Sequence, residues 1–314
     1  MRQAKYRHHL PQSKDKIYLT DGGLETTLLF LEGFDLPHFA AFDLLRDTNG
    51  KQAIESYLLK YVGIAKDNGT GIILDTPTWR ASQDWGDLLG YSREALDMIN
   101  RESVEMLHGI RDAHETETTA CVINGAIGPR GDGYNPELLM SAKDAADYHR
   151  AQVTSFAEAG ADMVTAVTMN YVDEAIGIAR IGADIGIPTV ISFTVETDGK
   201  LPTGETLEEA VRSTDSASGN SPAYYMINCA HPTHFEDILK TGGSWRSRIG
   251  GLRANASALS HAELDEAEEL DDGNPSEFAA QHVDLAQYLP NLAVIGGCCG
   301  SDHRHIAAVH QHFH

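Results

Sequence analysis

The chain predicts an α/β fold of the (β/α)8 barrel class, organised as a single domain over residues 1–314. Three observations carry that expectation. Eight short apolar runs recur along the chain, as suits strands buried on both faces. Segments with apolar residues at helical spacing separate them. The alternation continues for about 300 residues with no linker or break in composition, the usual span of one closed barrel.

The elements follow in order. A polar leader reaches Lys16. Ile17–Thr20 is the first strand and runs into Asp21-Gly22-Gly23 and a brief helix, Glu25–Leu31. The carboxylate and flexible backbone there suit either an approaching ligand or an ordinary glycine turn. Helix Lys51–Asn68 places Ile54, Leu58, Tyr61, Val62 and Ala65 at helical spacing, and Gly69 ends it. Strand Gly71–Leu74 leads to Asp75-Thr76-Pro77. Helix Ser92–His114 precedes strand Ala120–Asn124, which closes at Gly125. Helix Ala142–Ala159 ends at Gly160 and precedes strand Asp162–Val167. Helix Val172–Ile185, strand Thr189–Phe193 and helix Leu207–Thr214, capped by Thr206, come next. Strand Tyr224–Asn228 ends at Cys229, and Thr233–Leu239 is a short helix. Ile249–Arg253 is the seventh strand. His261–Pro275 is rich in Asp and Glu and reads as a loop. Helix Ser276–Tyr288, strand Leu292–Ile295 and helix Asp302–His310 close the chain.

The formal net charge is −22, from 46 acidic against 24 basic residues. That balance argues against nucleic acid and anionic membrane partners. The first residues, MRQAKYRHHLPQSKDK, lack an apolar signal region. No run approaches the ~18 apolar residues of a membrane span. Four cysteines, two of them adjacent, do not resemble a secreted disulfide framework. The expected location is the cytoplasm.

Chemistry concentrates in Asn291–Gly300, NLAVIGGCCG. Cys298 and Cys299 follow a strand, where glycines let the backbone turn sharply. A disulfide between neighbours is strained, but two thiolates can share a soft cation if a third ligand arrives. Chemistry in these barrels gathers at the C-terminal strand ends. Cys229 ends the sixth strand, near the eighth around the ring, and is the third ligand. Cys121 lies inside the third strand and reads as a buried thiol. A structural zinc takes four protein ligands, whereas three leave a position open. The guest suited to a sulfur-rich site is a substrate thiol, which zinc deprotonates. Zinc is therefore the expected cofactor, with a small thiol as partner.

These residues resemble the zinc-dependent homocysteine S-methyltransferase family, which includes S-methylmethionine- and betaine-dependent enzymes and the homocysteine-binding module of methionine synthase. LTDGGLETTL looks like the family's first strand and turn, NGAIGPRGDGY its third-strand loop, and SFTVETDGKLPTGETLEEAV the segment after strand five. INCAHP and IGGCCGSDHRHIAAV carry the family's zinc cysteines, Cys229, Cys298 and Cys299. The resemblance implies a (β/α)8 barrel, zinc, and methyl transfer from an onium donor to a thiol, giving methionine when the acceptor is homocysteine. It implies that Asp21, Gly22, Gly23 and Thr168 line the substrate pocket and that Asn228 supports the metal loop.

Two departures bear on the substrates. Val167-Thr168 stands where many members have a Glu-Thr pair whose glutamate holds the homocysteine ammonium. Either another carboxylate, such as Glu196 or Asp75, takes that role, or the acceptor is a different thiol or selenol. Leu252–Ala256 replaces a Tyr-Pro-Asn-Ser-Gly segment and keeps Asn255. No long C-terminal arm follows Cys299, which leans toward a monomer or small homo-oligomer. The expected donor is S-methylmethionine or a similar sulfonium.

Other readings stay open. An altered pocket leaves a thiol- or metal-binding barrel without turnover. Cys298 and Cys299 as a redox pair would bind no stoichiometric zinc. Trp79 and Trp85 suit either an onium-binding wall or a core or lid. The tail histidines, His303, His305, His310, His312 and His314, read as a solvated surface cluster.

Overall fold

The computed structural model describes residues 2–136 and 138–313. Eight parallel strands pair in sequence order and close into a barrel. They are β1 (Tyr18–Leu19), β2 (Gly71–Asp75), β3 (Cys121–Ile127), β4 (Met163–Met169), β5 (Thr189–Phe193), β6 (Tyr225–Asn228), β7 (Ile249–Ala254) and β8 (Val294–Gly297). Tyr18 pairs with Gly71 on one side and Val294 on the other, which seals the ring. Outside it run α1 (Thr48–Asp67), α2 (Arg93–His114), α3 (Ala142–Ala159), α4 (Val172–Ile185), α5 (Leu207–Ser218), α6 (Pro232–Lys240), α7 (Pro275–Ala286) and α8 (His303–Phe313).

The side-chain period of two divides each strand between two cores. Tyr18, Ile73, Val122, Met163, Val190, Met226 and Val294 form one cluster, a single residue from each of seven strands, and fill the barrel. Their sequence neighbours, among them Leu19, Ile72, Ile123, Val164 and Ile227, belong to the layer shared with the helices. Cys121 falls in that second layer and is fully buried, as expected of an apolar thiol. Helix ends obey local chemistry. Ser92, Ser141 and Thr206 cap N-termini with their side chains, and Gly160, Gly186 and Gly219 take left-handed conformations at C-termini.

The leader is structural. Tyr6 and Leu10 pack against the barrel-filling cluster. The backbone N–H groups of Lys5 and Tyr6 donate to Asp162 Oδ1 at 2.7 and 2.8 Å. Asp162 also pairs with Arg111 at 2.8 Å, both of them buried.

Two expectations need correction. The acidic segment opens with a helical turn, His261–Asp265, held by a capping box between Ser260 and Glu263. Its composition concealed a buried histidine, His261. The tail histidines are not all solvated. His305 and His310 lie on the buried face of α8 with Ile306 and Val309, whereas His303 and His312 are exposed. His305 bonds through Nε2 to the Asp272 carbonyl at 2.8 Å. His314 lies outside the described residues. Among the described residues no helix is long and apolar enough to cross a membrane.

Candidate functional site

The C-terminal ends of β1, β6, β7 and β8 meet on one side of the barrel mouth. The backbone N–H of Cys298 donates to Ala254 of β7 at 2.9 Å, and that of Cys229 donates to Arg253 at 3.2 Å. The β7 end thus fixes both cysteine loops. The ligand atoms of Cys229, Cys298 and Cys299 all lie within 4.8 Å of one another. Cys229 and Cys298 are drawn together as a disulfide pair with Cα atoms 5.4 Å apart, and Cys299 is a free thiol. Three soft donors at one point fit zinc or another soft cation by donor type.

Polar groups address each sulfur. Thr168 Oγ1 donates to Cys229 Sγ at 3.7 Å, and Asn228 Nδ2 lies 3.9 Å from Cys298 Sγ. Tyr134 Oη lies 3.6 Å from Cys299 Sγ. Burial pushes the Cys299 thiol up to about 11. Thr168 and Cys229 both hold positive φ, 65° and 52°, in the left-handed region that ordinary side chains avoid. Asn228 stabilises that backbone, because its Oδ1 accepts from Thr168 N at 3.0 Å and from Ser192 Oγ.

Behind Cys229 stands His261. It bonds through Nε2 to the Cys229 carbonyl at 2.7 Å and through Nδ1 to Glu196 at 2.9 Å. Its ring stacks on Tyr134 with centroids 3.9 Å apart. Glu196, considered from sequence as a substrate carboxylate, is thus engaged by the histidine that holds the Cys229 loop. The residues His261 and Tyr134 were not singled out individually by the sequence. Tyr134 does lie in the third-strand motif, which was its available signal.

The Asp21-Gly22-Gly23 turn abuts the cysteine loop. The N–H of Gly297 donates to the Asp21 carbonyl, and that of Gly23 to the Ser301 carbonyl, each at 2.9 Å. Asp21 and Asp75 both pair with Arg253, whose Nε donates to the Gly297 carbonyl at 3.1 Å. All three side chains are buried. Burial pushes the Asp21 carboxyl up to about 7 despite the opposing Arg253 charge. Burial also opposes the Arg253 charge, but Asp75 and Asp21 outweigh it and hold the guanidinium firmly protonated. Asp75 further accepts from Asn124 Nδ2 at 2.7 Å. Neither aspartate is a free carboxylate for a substrate cation. Arg253 belongs to the segment that departs from the family pattern, and its role emerges only when β1, β2 and β7 are brought together.

These groups line a cavity of about 390 Å³ over the sulfurs. Asp21, Gly22, Gly23, Val167 and Thr168 are on its wall, as are Trp79, Phe30 and Phe39. Asn228 is buried behind it. The segment after β7 contributes Leu264, Leu270 and the acidic Asp265, Glu269 and Asp271. Trp79 Nε1 donates to the Val167 carbonyl at 3.2 Å. Trp85 does not reach the cavity; it stacks on Arg80.

The fold and site define a closed parallel barrel whose C-terminal rim gathers three sulfurs, able to hold a soft metal ion, beneath a cavity. The chain matches the homocysteine S-methyltransferase family over residues 18–313 and belongs to that family. The homocysteine methyltransferase MmuM from Escherichia coli, in its metallated form, has 19% identity and a TM-score of 0.70, with 94% of this chain and 96% of that one covered. The oxidized form of the same protein gives 20%, 0.71, and coverage of 93% and 94%. At this identity the likeness speaks for the fold. Among curated proteins no match is found.

Proposed function

We propose that this chain is a zinc-dependent S-methyltransferase that moves a methyl group from a sulfonium donor to a small thiol, homocysteine first, giving methionine. The observation that carries this reading is the convergence of Cys229, Cys298 and Cys299 at the floor of the cavity. Zinc bound by those sulfurs would supply a centre that deprotonates a guest thiol and keeps it nucleophilic near neutral pH. The chain's own groups do the rest. Asn228 and His261 hold the Cys229 loop in its positive-φ conformation. Trp79 and the acidic rim favour a cationic donor. In the transfer, the methyl carbon leaves the donor sulfur as it bonds to the acceptor sulfur. The donor departs as a neutral thioether and the acceptor's proton goes to solvent. The reading places the enzyme in the cytoplasm, as a monomer or small homo-oligomer.

The test combines product formation with metal–sulfur counting. S-methylmethionine and homocysteine are expected to yield methionine, and X-ray absorption is expected to find a fourth zinc–sulfur contact only after homocysteine is added. Stoichiometric zinc with neither result would exclude homocysteine as acceptor.

The turn against the cysteine loop offers a second check. A Cβ at Gly23 would lie 2.7 Å from the Cys298 carbonyl oxygen and 2.4 Å from Thr26 Oγ1. Gly23→Ala is expected to shift the cysteine turn and weaken zinc binding by about tenfold, as supporting groups around metal sites do when disturbed. Competition with a chromophoric chelator measures it. Unchanged affinity would mean that the turn yields without moving the sulfurs.

A further inference from the structure

Two opposite charges on the cavity wall lack close partners. Glu25 follows the Asp21-Gly22-Gly23 turn and lines the cavity. Among the described residues its side chain makes no ion pair and no hydrogen bond to another side chain. Arg80 lines the same cavity. Its Nε is buried without a hydrogen-bond partner, and its nearest carboxylate in ion-pair range is Asp132, at 3.8 Å. Glu25 and Arg80 are not paired with each other, yet each senses the other's charge. Burial pushes Glu25 up and Arg80 down, the mark of charges that have lost water without gaining a tight partner.

Both are held in place. Thr26, next to Glu25, accepts from the Gly300 N–H at 3.3 Å, which ties the turn to the cysteine loop. The Arg80 guanidinium lies 3.8 Å from the Trp85 ring centroid and 4.8 Å from that of Trp79. Of the other carboxylates lining the cavity, Asp21 and Asp75 are engaged by Arg253, Asp132 by the N–H groups of Tyr134 and Asn135, and Asp271 by Ser257 Oγ and the Gly273 N–H, while Asp265 and Glu269 belong to the segment after β7.

From this we infer that Glu25 and Arg80 form a clamp for the α-amino-acid end of a substrate, Glu25 taking the ammonium and Arg80 the carboxylate. A zwitterion supplies both missing partners at once, which a lone cation or lone anion does not. Arginine's fork suits the carboxylate. The inference rests on the methyl-transfer reading. The amino acid is the thiol acceptor or the sulfonium donor, and the test separates them.

Zinc-loaded wild type, Glu25→Gln and Arg80→Gln are titrated calorimetrically. The thiol probes are homocysteine, its deamino analogue and its decarboxylated analogue. The sulfonium probes are S-methylmethionine and trimethylsulfonium. Glu25→Gln is expected to weaken ammonium-bearing amino-acid probes by about 10- to 100-fold, the range for hydrogen bonds to charged groups, and to leave the deamino analogue unchanged. Arg80→Gln is expected to do the same for carboxylate-bearing probes and to spare the decarboxylated one. This crossed pattern among the thiols places the acceptor in the clamp. Weakening of S-methylmethionine but not trimethylsulfonium places the donor there. Uniform weakening of every probe, or none, overturns the clamp and leaves the methyl-transfer reading standing. A wild type that binds neither thiols nor sulfoniums overturns both. Should Arg80→Gln not fold, the ammonium half of the pattern decides through Glu25→Gln.

Discussion

Cys298→Ser is expected to abolish stoichiometric zinc in protein purified under reducing conditions, and methyl transfer with it. Cys298 is one of only three sulfurs in the cluster, so its loss leaves two thiolates and a hydroxyl, a poor ligand for a soft cation. The fall in affinity is expected to exceed the ~100-fold upper range for disturbing a supporting group around a metal. Cys121→Ser is the control. That thiol is buried in the layer between strands and helices and is expected to leave zinc content unchanged. Metal analysis by mass spectrometry measures both. Redox state enters the same experiment. Cys229 and Cys298 pair as a disulfide in the structure, and a disulfide and a zinc ion compete for the same two sulfurs. Oxidised protein is expected to exclude zinc until a reductant is added. Acid is expected to weaken binding too, since each ligand must lose its proton and burial already raises the Cys299 thiol to about 11. Full zinc retention by Cys298→Ser would remove the three-sulfur site from consideration.

The barrel was legible because its signals are local. Short buried strands and amphipathic helices alternate at a spacing that only a few architectures accept. The rim position of the cysteines was legible for the same reason, since each follows a strand. Groups whose meaning depends on several strands at once were harder to see. Arg253 looked like a departure from a family segment; in space it pairs with Asp21 and Asp75, 232 and 178 residues away in sequence. Glu196 and Asp75 were plausible substrate carboxylates in one dimension, but three dimensions commit them to His261 and Arg253. His261 was hidden by the acidic residues that follow it, and His305 by its place among tail histidines. In both cases composition reports the solvated side of a short helix, and a single inward-facing residue does not shift it.

Arg253→Met is expected to destabilise the protein by about 3–5 kcal/mol at pH 8, the usual result of removing one partner from a buried ionic group. Methionine fills much of the same volume, so the loss reports charge more than packing. The pH dependence gives the test its sign. Without Arg253, burial and the neighbouring Asp75 charge raise the folded-state pKa of Asp21 further above the unfolded carboxylate value of ~3.9. A carboxyl with a raised folded pKa takes up a proton on folding. Its penalty is absent below the unfolded pKa and grows as pH rises toward the folded one. The gap between variant and wild type is therefore expected to shrink as pH falls from 8 toward about 4. The wild type carries a smaller form of the same slope, because Asp21 remains raised to about 7 even beside Arg253. Urea midpoints across that range measure both slopes. Asp21→Asn in the Arg253→Met background is expected to restore part of the loss at pH 8, since one of the two unpaired charges is gone. If Arg253→Met costs the same at every pH, the arginine acts through packing alone. Asp21 and Asp75 would then be open to a substrate cation and would compete with Glu25 for it.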